Sequence, residues 1–398
     1  MQLWIGKRLS KMSYKAVVKR EINQFINQPL IIILMVVLPI VLCLITTSIF
    51  KEGSPRNLPI AVFNQDNSEL SRLLERNIQT LPSCNIAYRI TDFEQGKDLF
   101  TRGKIYALVV IPKDFQSDIY RMKNPKIVMY YNNQMILIGG IISKDLTTVV
   151  QTMMVGIDAK TRAKRGLPIQ VAVEKSNLII VDDHVRSNPY LNYQYFLSLI
   201  AFGHILQILV LMVAMWTFGI EFKKGTTKKW LKSANDSIII ATLGKITPYF
   251  VIFSCVFAII YFMYFVLFNS PFSGSFLMVA FSTLLFIFTV LALGALFMSI
   301  NGNFRYCLSN AAFYSAMGFA FAGVTYPVMA MPMFAKIYSA SLPLTHYIKI
   351  LLNQTMRDLP VVYDLQNIFA LLCILGLCFL ALPRLKKLAN DESTWYQK

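Results

Sequence analysis

FGIEFKKGTTKKWLKSANDSIIIATLGK, residues 218–245, separates two long apolar runs. It carries six lysines, Lys223, Lys224, Lys228, Lys229, Lys232 and Lys245, against Glu221 and Asp236. A short, strongly cationic loop between two membrane spans belongs on the cytoplasmic side, because clustered Lys and Arg resist translocation. Within it, Gly225-Thr226-Thr227 would stop one helix and cap the next. The following KKWLKS then reads as a short helix with Trp230 and Leu231 among lysines. Two postures suit such a helix: resting at the lipid interface with Trp as anchor, or plugging Trp230 into a cleft of a soluble partner with lysines at the rim.

The apolar runs on either side of this stretch read as membrane spans. The chain has 398 residues, 55% of them hydrophobic, and a mean hydropathy of +0.51, too apolar for an ordinary soluble domain. Six spans are predicted, at 30–50, 190–218, 246–268, 276–300, 306–325 and 365–382. The first is 21 residues without a charge. At 1.5 Å per residue such a helix covers about 31 Å, against a hydrocarbon core of about 30 Å. Pro39 is expected to kink it. The following TTSIFKEGS lacks a small-residue cleavage site, so the run reads as an uncleaved span.

Ahead of it, residues 1–28 hold Lys7, Arg8, Lys11, Lys15, Lys19 and Arg20 against one acid, Glu21. Ile5, Leu9, Met12 and Ala16 recur at helical spacing, which predicts a basic amphipathic helix in the cytoplasmic interface. Arg384, Lys386 and Lys387 follow the last span at once and keep the 383–398 tail on the same side. The net charge of +18 is therefore largely topological, and no recognition motif for nucleic acid accompanies it.

Residues 51–188 differ in character, with 19 Lys+Arg and 14 Asp+Glu. LPIAVFN, NIAYRI, IYALVVIP and KIVMYYN read as strands, alternating with helical stretches. A long helix is expected over 135–165, its stripe made by Ile138, Ile142, Leu146, Val149, Met153 and Ile157. This is an extracytoplasmic α/β domain large enough for its own core. Cys84 is its one thiol, so no internal disulfide is predicted. Near the other end, residues 326–350 contain Tyr326-Pro327, Met331-Pro332 and Leu342-Pro343. Prolines this close break a helix, and short re-entrant helices at the outer leaflet are expected.

Motifs for chemistry are missing. Each of the four Gly-Lys pairs lacks the Ser or Thr of a phosphate loop, and three histidines far apart offer no metal site. Within the predicted spans only His204 titrates. An ion-coupled carrier usually holds an ionisable group at membrane depth, so that reading has little to work with. A membrane-anchored scaffold or sensor displaying the outer domain is the other alternative, though one span would suffice for it. Ser198, His204, Gln207 and Asn310 are the polar candidates to line a path, with interhelical hydrogen bonding as the plainer role.

Three segments carry a resemblance: KREINQFINQPL before the first span, EFKKGTTKKWLKSANDSIIIATLGKITPY after the second, and FAGVTYPVMAMPMFAKIYSASLPLTHYIKILLNQ near the end. In order and spacing the chain resembles the type-2 ABC exporter permeases. Glu221, Gly225, Thr226, Gly244 and Lys245 match the family's loop; Lys228-Lys229 and the absence of a mid-loop proline depart from it. The resemblance implies a polytopic α-helical fold of six transmembrane helices, an outer α/β domain and re-entrant helices marked by Tyr326, Pro327, Pro332 and Pro343. It implies a transport subunit and not an enzyme, in a bacterial inner membrane with both termini cytoplasmic. Partners implied are a separate ATP-binding-cassette ATPase carrying ATP and Mg, a second permease copy or close paralogue, a periplasmic adaptor and the lipid bilayer. Glu221, Gly225, Thr226, Lys229, Trp230 and Lys232 would couple this chain to the ATPase. An amphiphilic, drug-like or lipid-like cargo is expected, with no cofactor or metal on the chain itself.

Overall fold

A computed structural model describes residues 2–121, 123–164, 188 and 192–395; the side chains of residues 2–13, 161, 162 and 164 lie outside that description. The chain forms two units, Glu52–Val185 and the combination of Met1–Lys51 with Arg186–Lys398.

The inserted unit is built on a four-stranded sheet of β1 (Leu58–Asn64), β2 (Cys84–Ile90), β3 (Ala107–Ile111) and β4 (Val128–Tyr131), in the order β2-β1-β3-β4. The first three strands run parallel and β4 is an antiparallel edge. β1 and β3 are almost continuously apolar because helices cover both faces. One face packs Ile60, Val62 and Val109 against Leu74 and Ile78 of the helix Glu69–Gln79 and Ile142, Leu146 and Met153 of the helix Ile136–Lys164. The stripe read from the sequence is thus the one that meets the sheet. The other face packs Ala61 and Leu108 beneath Phe93, Leu99 and Phe100 of the helix Phe93–Thr101. Ser68 caps the helix Glu69–Gln79 by accepting from the Ser71 N–H at 3.2 Å. Residues 165–187 of the predicted domain lie outside the described residues.

In the second unit, α1 (Gln2–Ile26) precedes α2 (Pro29–Ile49), which contains a π-helical turn at Ile33–Val37 just before Pro39. Then follow α3 (Gln194–Lys223), α4 (Thr227–Ser233), α5 (Ile238–Leu267), α6 (Phe276–Asn301) and α7 (Phe304–Ala316). After a break come α8 (Met333–Ser341), α9 (Pro343–Met356) and a last run, α10 (Val361–Asn390). Among the described residues, five helices are long and apolar enough to cross a membrane: α2, α3, α5, α6 and α10. The predicted fifth span, 306–325, is not one helix. α7 has 13 residues, about 20 Å of rise against a core of about 30 Å. It breaks at Met317 into a single turn, Gly318–Phe321.

The broken segment after it agrees with the proline spacing. Pro332 directly precedes α8 and Pro343 is the first residue of α9, where a missing N–H costs nothing. Met329, Met333, Phe334 and Ile337 are exposed large apolar side chains on this segment.

The helix limits depart most from expectation at the cationic loop. α3 runs on to Lys223, and α5 starts at Ile238, where Ser237 caps it, eight residues before the predicted span. Glu221 and Lys245, read as loop charges, are therefore inside long helices, and both are fully buried. Asp364, just ahead of the predicted last span, is buried in the first turn of α10. The expectation of charge-free spans holds only for the narrower limits drawn from hydropathy.

Candidate functional site

Two segments far apart in sequence bury charge at this loop. On α1, Val17 and Glu21 are buried one turn apart, while Ala16 is exposed. The amphipathic face expected through Ile5, Leu9 and Met12 falls on side chains outside the described ones. α1 lies against α5 where Gly244 leaves room: a Cβ there would stand 2.8 Å from the Val17 Cβ. Tyr14 and Thr247 hydroxyls meet at 2.7 Å along the same seam.

This approach brings four charges together. Lys245 Nζ donates to Glu21 Oε1 at 2.5 Å and to Glu221 Oε1 at 3.0 Å. Arg20 Nη2 donates to Glu221 Oε2 at 2.7 Å, and Arg20 Nη1 reaches Glu21 at 3.4 Å. The cluster is two cations and two anions, so it is neutral as a set. Thr226 Oγ1 donates to the same Glu221 oxygen that Arg20 holds. Isolated charges this deep would be costly, and each is compensated by a partner of opposite sign. Burial pushes the Glu21 carboxyl above its usual range, and the neighbouring Lys245 opposes that shift.

The loop helix α4 is braced on the same cluster. Trp230 is fully buried, 6.0 Å from the Phe218 ring in an edge-to-face arrangement. Its Nε1 donates to Ala241 O at 3.2 Å, and Lys245 Nζ lies 5.4 Å from its ring centroid. Both postures drawn for Trp230 from sequence need its ring outside the chain; instead it fills the chain's own core, because α3 and α5 close over it. Lys229 and Lys232 are exposed on the opposite side of α4. Gly225 supplies the turn between α3 and α4 with φ of +63°, a left-handed conformation that disfavours residues with a Cβ. The end of the chain seals the flank: Thr227 Oγ1 donates to Ala389 O at 2.6 Å, and Lys228 pairs with Glu392 at 2.6 Å beneath the Trp395 ring. Arg384 donates to Ile300 O at 2.7 Å. One end of this unit thus gathers α1, the loop, the α6–α7 link and the tail.

The polar path candidates separate into two groups. Gln207 accepts from the Leu344 N–H at 3.2 Å and so caps the N-terminus of α9 from across the bundle. His204 Nδ1 and Gln207 Nε2 both approach Gly318, and neither has a hydrogen-bond partner among the described residues. The Ser315 hydroxyl, one turn before Gly318, is buried and unpartnered as well. Ser198, also buried and unpartnered, lies six residues before His204, about 9 Å along the helix. Asn310 does not join them, being exposed on another face of α7. Tyr326, Pro327 and Pro332 are exposed, whereas Pro343 is buried at the start of α9. His184 lies outside the described residues.

Sequence reading missed Arg20 and Lys245 as partners of Glu221, missed Glu21 as the second carboxylate on Lys245, and missed Asp364. Asp364 is held by Asn353 Nδ2 and Gln354 Nε2, each at 2.7 Å. The available signal was a single acid, Glu21, in an otherwise basic helix, and single charges abutting apolar runs.

The family comparison adds to this geometry. A family model described as ABC-2 family transporter protein matches residues 29–382. The chain belongs to that family. It is the membrane permease of an ABC transporter, a multi-pass transport subunit whose family implies partnership with an ABC ATPase. The match runs from the start of α2 into α10 and so includes the inserted sheet unit, the loop and both broken segments. Comparison with curated proteins and with solved structures finds no match. In this permease the buried charges stand at the loop between the second and third spans, where the resemblance expected contact with a motor subunit.

Proposed function

We propose that this permease is the membrane half of an ATP-driven exporter, working as two copies beneath which two separate ATPase subunits bind. ATP and Mg belong to those subunits. The observation that carries the reading is the neutral cluster of Arg20, Glu21, Glu221 and Lys245. It welds α1, the second span and the third span to α4, while Lys229 and Lys232 stand on the exposed side of that helix. A push on α4 then acts directly on the ends of two long helices. Energy enters through contacts that differ between two states, as any such coupling requires.

Orientation follows from charge. The basic segments gathered at one end of this unit favour the cytoplasmic side, with both termini there and the sheet unit outside. A bacterial inner membrane suits this layout, with the outer domain guiding cargo or meeting a periplasmic adaptor. The buried His204, Gln207 and Ser315 in a largely apolar bundle suit a hydrophobic or amphiphilic solute with one hydrogen-bonding group.

The test is co-purification with a co-expressed ATPase subunit, followed by transport in vesicles. The expected result is a stable complex whose ATP hydrolysis rises with the permease, and a Lys229→Glu, Lys232→Glu variant that folds but loses the complex. Transport driven by an ion gradient without nucleotide would overturn this reading in favour of a carrier.

A further inference from the structure

A crevice of about 430 Å³ opens between α5 and α6, away from the charge cluster and from His204. Its volume lies within the roughly 300–1,000 Å³ typical of ligand pockets. Ala258 of α5 and Ala280 of α6 are the smallest residues in its lining. Phe265 and Phe272 close one end; their rings meet edge to face at 5.1 Å. The π-helical turn Met263–Leu267 at the end of α5 supplies Phe265 and Val266 to the wall. Such turns recur at binding sites because they re-aim side chains. Phe262, Val266 and Phe276 form an exposed rim.

Three hydroxyl residues line the crevice, and all are already satisfied. Ser254 donates to Phe250 O at 2.7 Å and Thr283 donates to Val279 O at 2.7 Å. Because the Thr283 proton is committed, Tyr347 of α9 donates to Thr283, at 2.9 Å, and Tyr261 donates to Tyr347. Tyr347 also stacks on Phe286, 4.2 Å between centroids. The wall therefore offers carbon and no free donor. From Ser254 to Val266 the lining follows α5 for about 18 Å, about three-fifths of a hydrocarbon core of about 30 Å.

We infer that this crevice holds one acyl chain of a bilayer lipid, seated against the Tyr261–Tyr347–Thr283 hydroxyl chain that ties α5, α6 and α9. The occupant follows from the environment. The rim belongs to two membrane-crossing helices, so hydrocarbon is what surrounds it. A mostly apolar space with no free donor is a poor place for water, which needs about two to four polar partners. A polar headgroup finds no partner in it, which leaves the chain alone as the bound part. The inference rests on the multi-pass membrane reading and not on the motor or the cargo.

The probe is a phosphatidylcholine with a diazirine on one acyl chain, in nanodiscs carrying the full-length permease, with cross-links mapped by mass spectrometry. Label is expected to concentrate on residues 257–266 and 276–284, above that on exposed Ile33 and Leu44 of α2. Ala280→Trp, which fills the crevice, is expected to lower crevice labelling about tenfold and leave the α2 label unchanged. Ala258→Phe serves the same purpose from the other wall and gives the reading if the tryptophan variant fails to fold. Uniform labelling that neither plug alters would overturn the inference. So would a crevice that stays unlabelled and cross-links instead to a second copy of the chain.

Discussion

Replacing Lys245 by methionine removes one ammonium from between two carboxylates. Glu21 Oε1 and Glu221 Oε1 stand 2.5 and 3.0 Å from Lys245 Nζ, so they are at most about 5.5 Å apart. At an effective dielectric of about 20, two unit charges at that separation repel by about 3 kcal/mol. Breaking a buried ion pair by removing one partner generally costs about 3–5 kcal/mol, which agrees. The expected loss for Lys245→Met is in that range. Adding Glu21→Gln restores neutrality, since Arg20 and Glu221 remain paired at 2.7 Å. The double variant should recover about 1–3 kcal/mol relative to the sum of the singles. Unfolding in mixed micelles, followed by tryptophan fluorescence, measures this cycle. There is a pH signature as well. Burial already raises the Glu21 carboxyl, with Lys245 opposing. Without Lys245 the folded carboxyl rises further above its unfolded value, so its contribution is present at low pH and lost as pH climbs through the folded value. The gap between Lys245→Met and the parent should narrow from about pH 8 to about pH 5. A Lys245→Met protein as stable as the parent would refute the argument. Strict additivity in the double variant would refute it too.

Trp230→Ala should cost about 3–5 kcal/mol and lower folded yield, because the ring is fully buried beneath α3 and α5. Lys229→Glu with Lys232→Glu should shift stability by no more than about 0.5 kcal/mol, both residues being exposed, while abolishing capture of the ATPase subunit in a pull-down. Gly225→Val should cost at least about 1–2 kcal/mol in the same unfolding assay, with Gly225→Asn milder, since φ there is +63°. Gln207→Leu leaves the Leu344 N–H unpaired at the start of α9; a loss of about 1–3 kcal/mol is expected in the same unfolding assay.

Much of the fold was legible because it rests on local periodicity. The apolar stripe from Ile138 to Ile157 gave the face of the helix Ile136–Lys164, and the four strand segments appear where alternation and turn residues put them. The prolines at 327, 332 and 343 marked real helix boundaries. Hydropathy misjudged the ends of α3 and α5, because a window that stops at a charge cannot see that the charge is neutralised by a residue elsewhere. It overestimated the fifth span for the opposite reason: 306–325 is apolar enough throughout, yet the helix stops at Ala316.

From the chain alone came a greasy multi-pass body, a cationic loop between two of its spans and an α/β insertion, all set by composition and spacing. The tertiary structure decided what the loop's charges do. Glu21 and Lys245 are 224 positions apart, and only the packing of α1 on Gly244 makes them neighbours. It also turned Trp230 inward and left Lys229 and Lys232 as the outward face of the loop. Burial and long-range ion pairing are properties of the folded chain, since each depends on a surface that another segment must first supply.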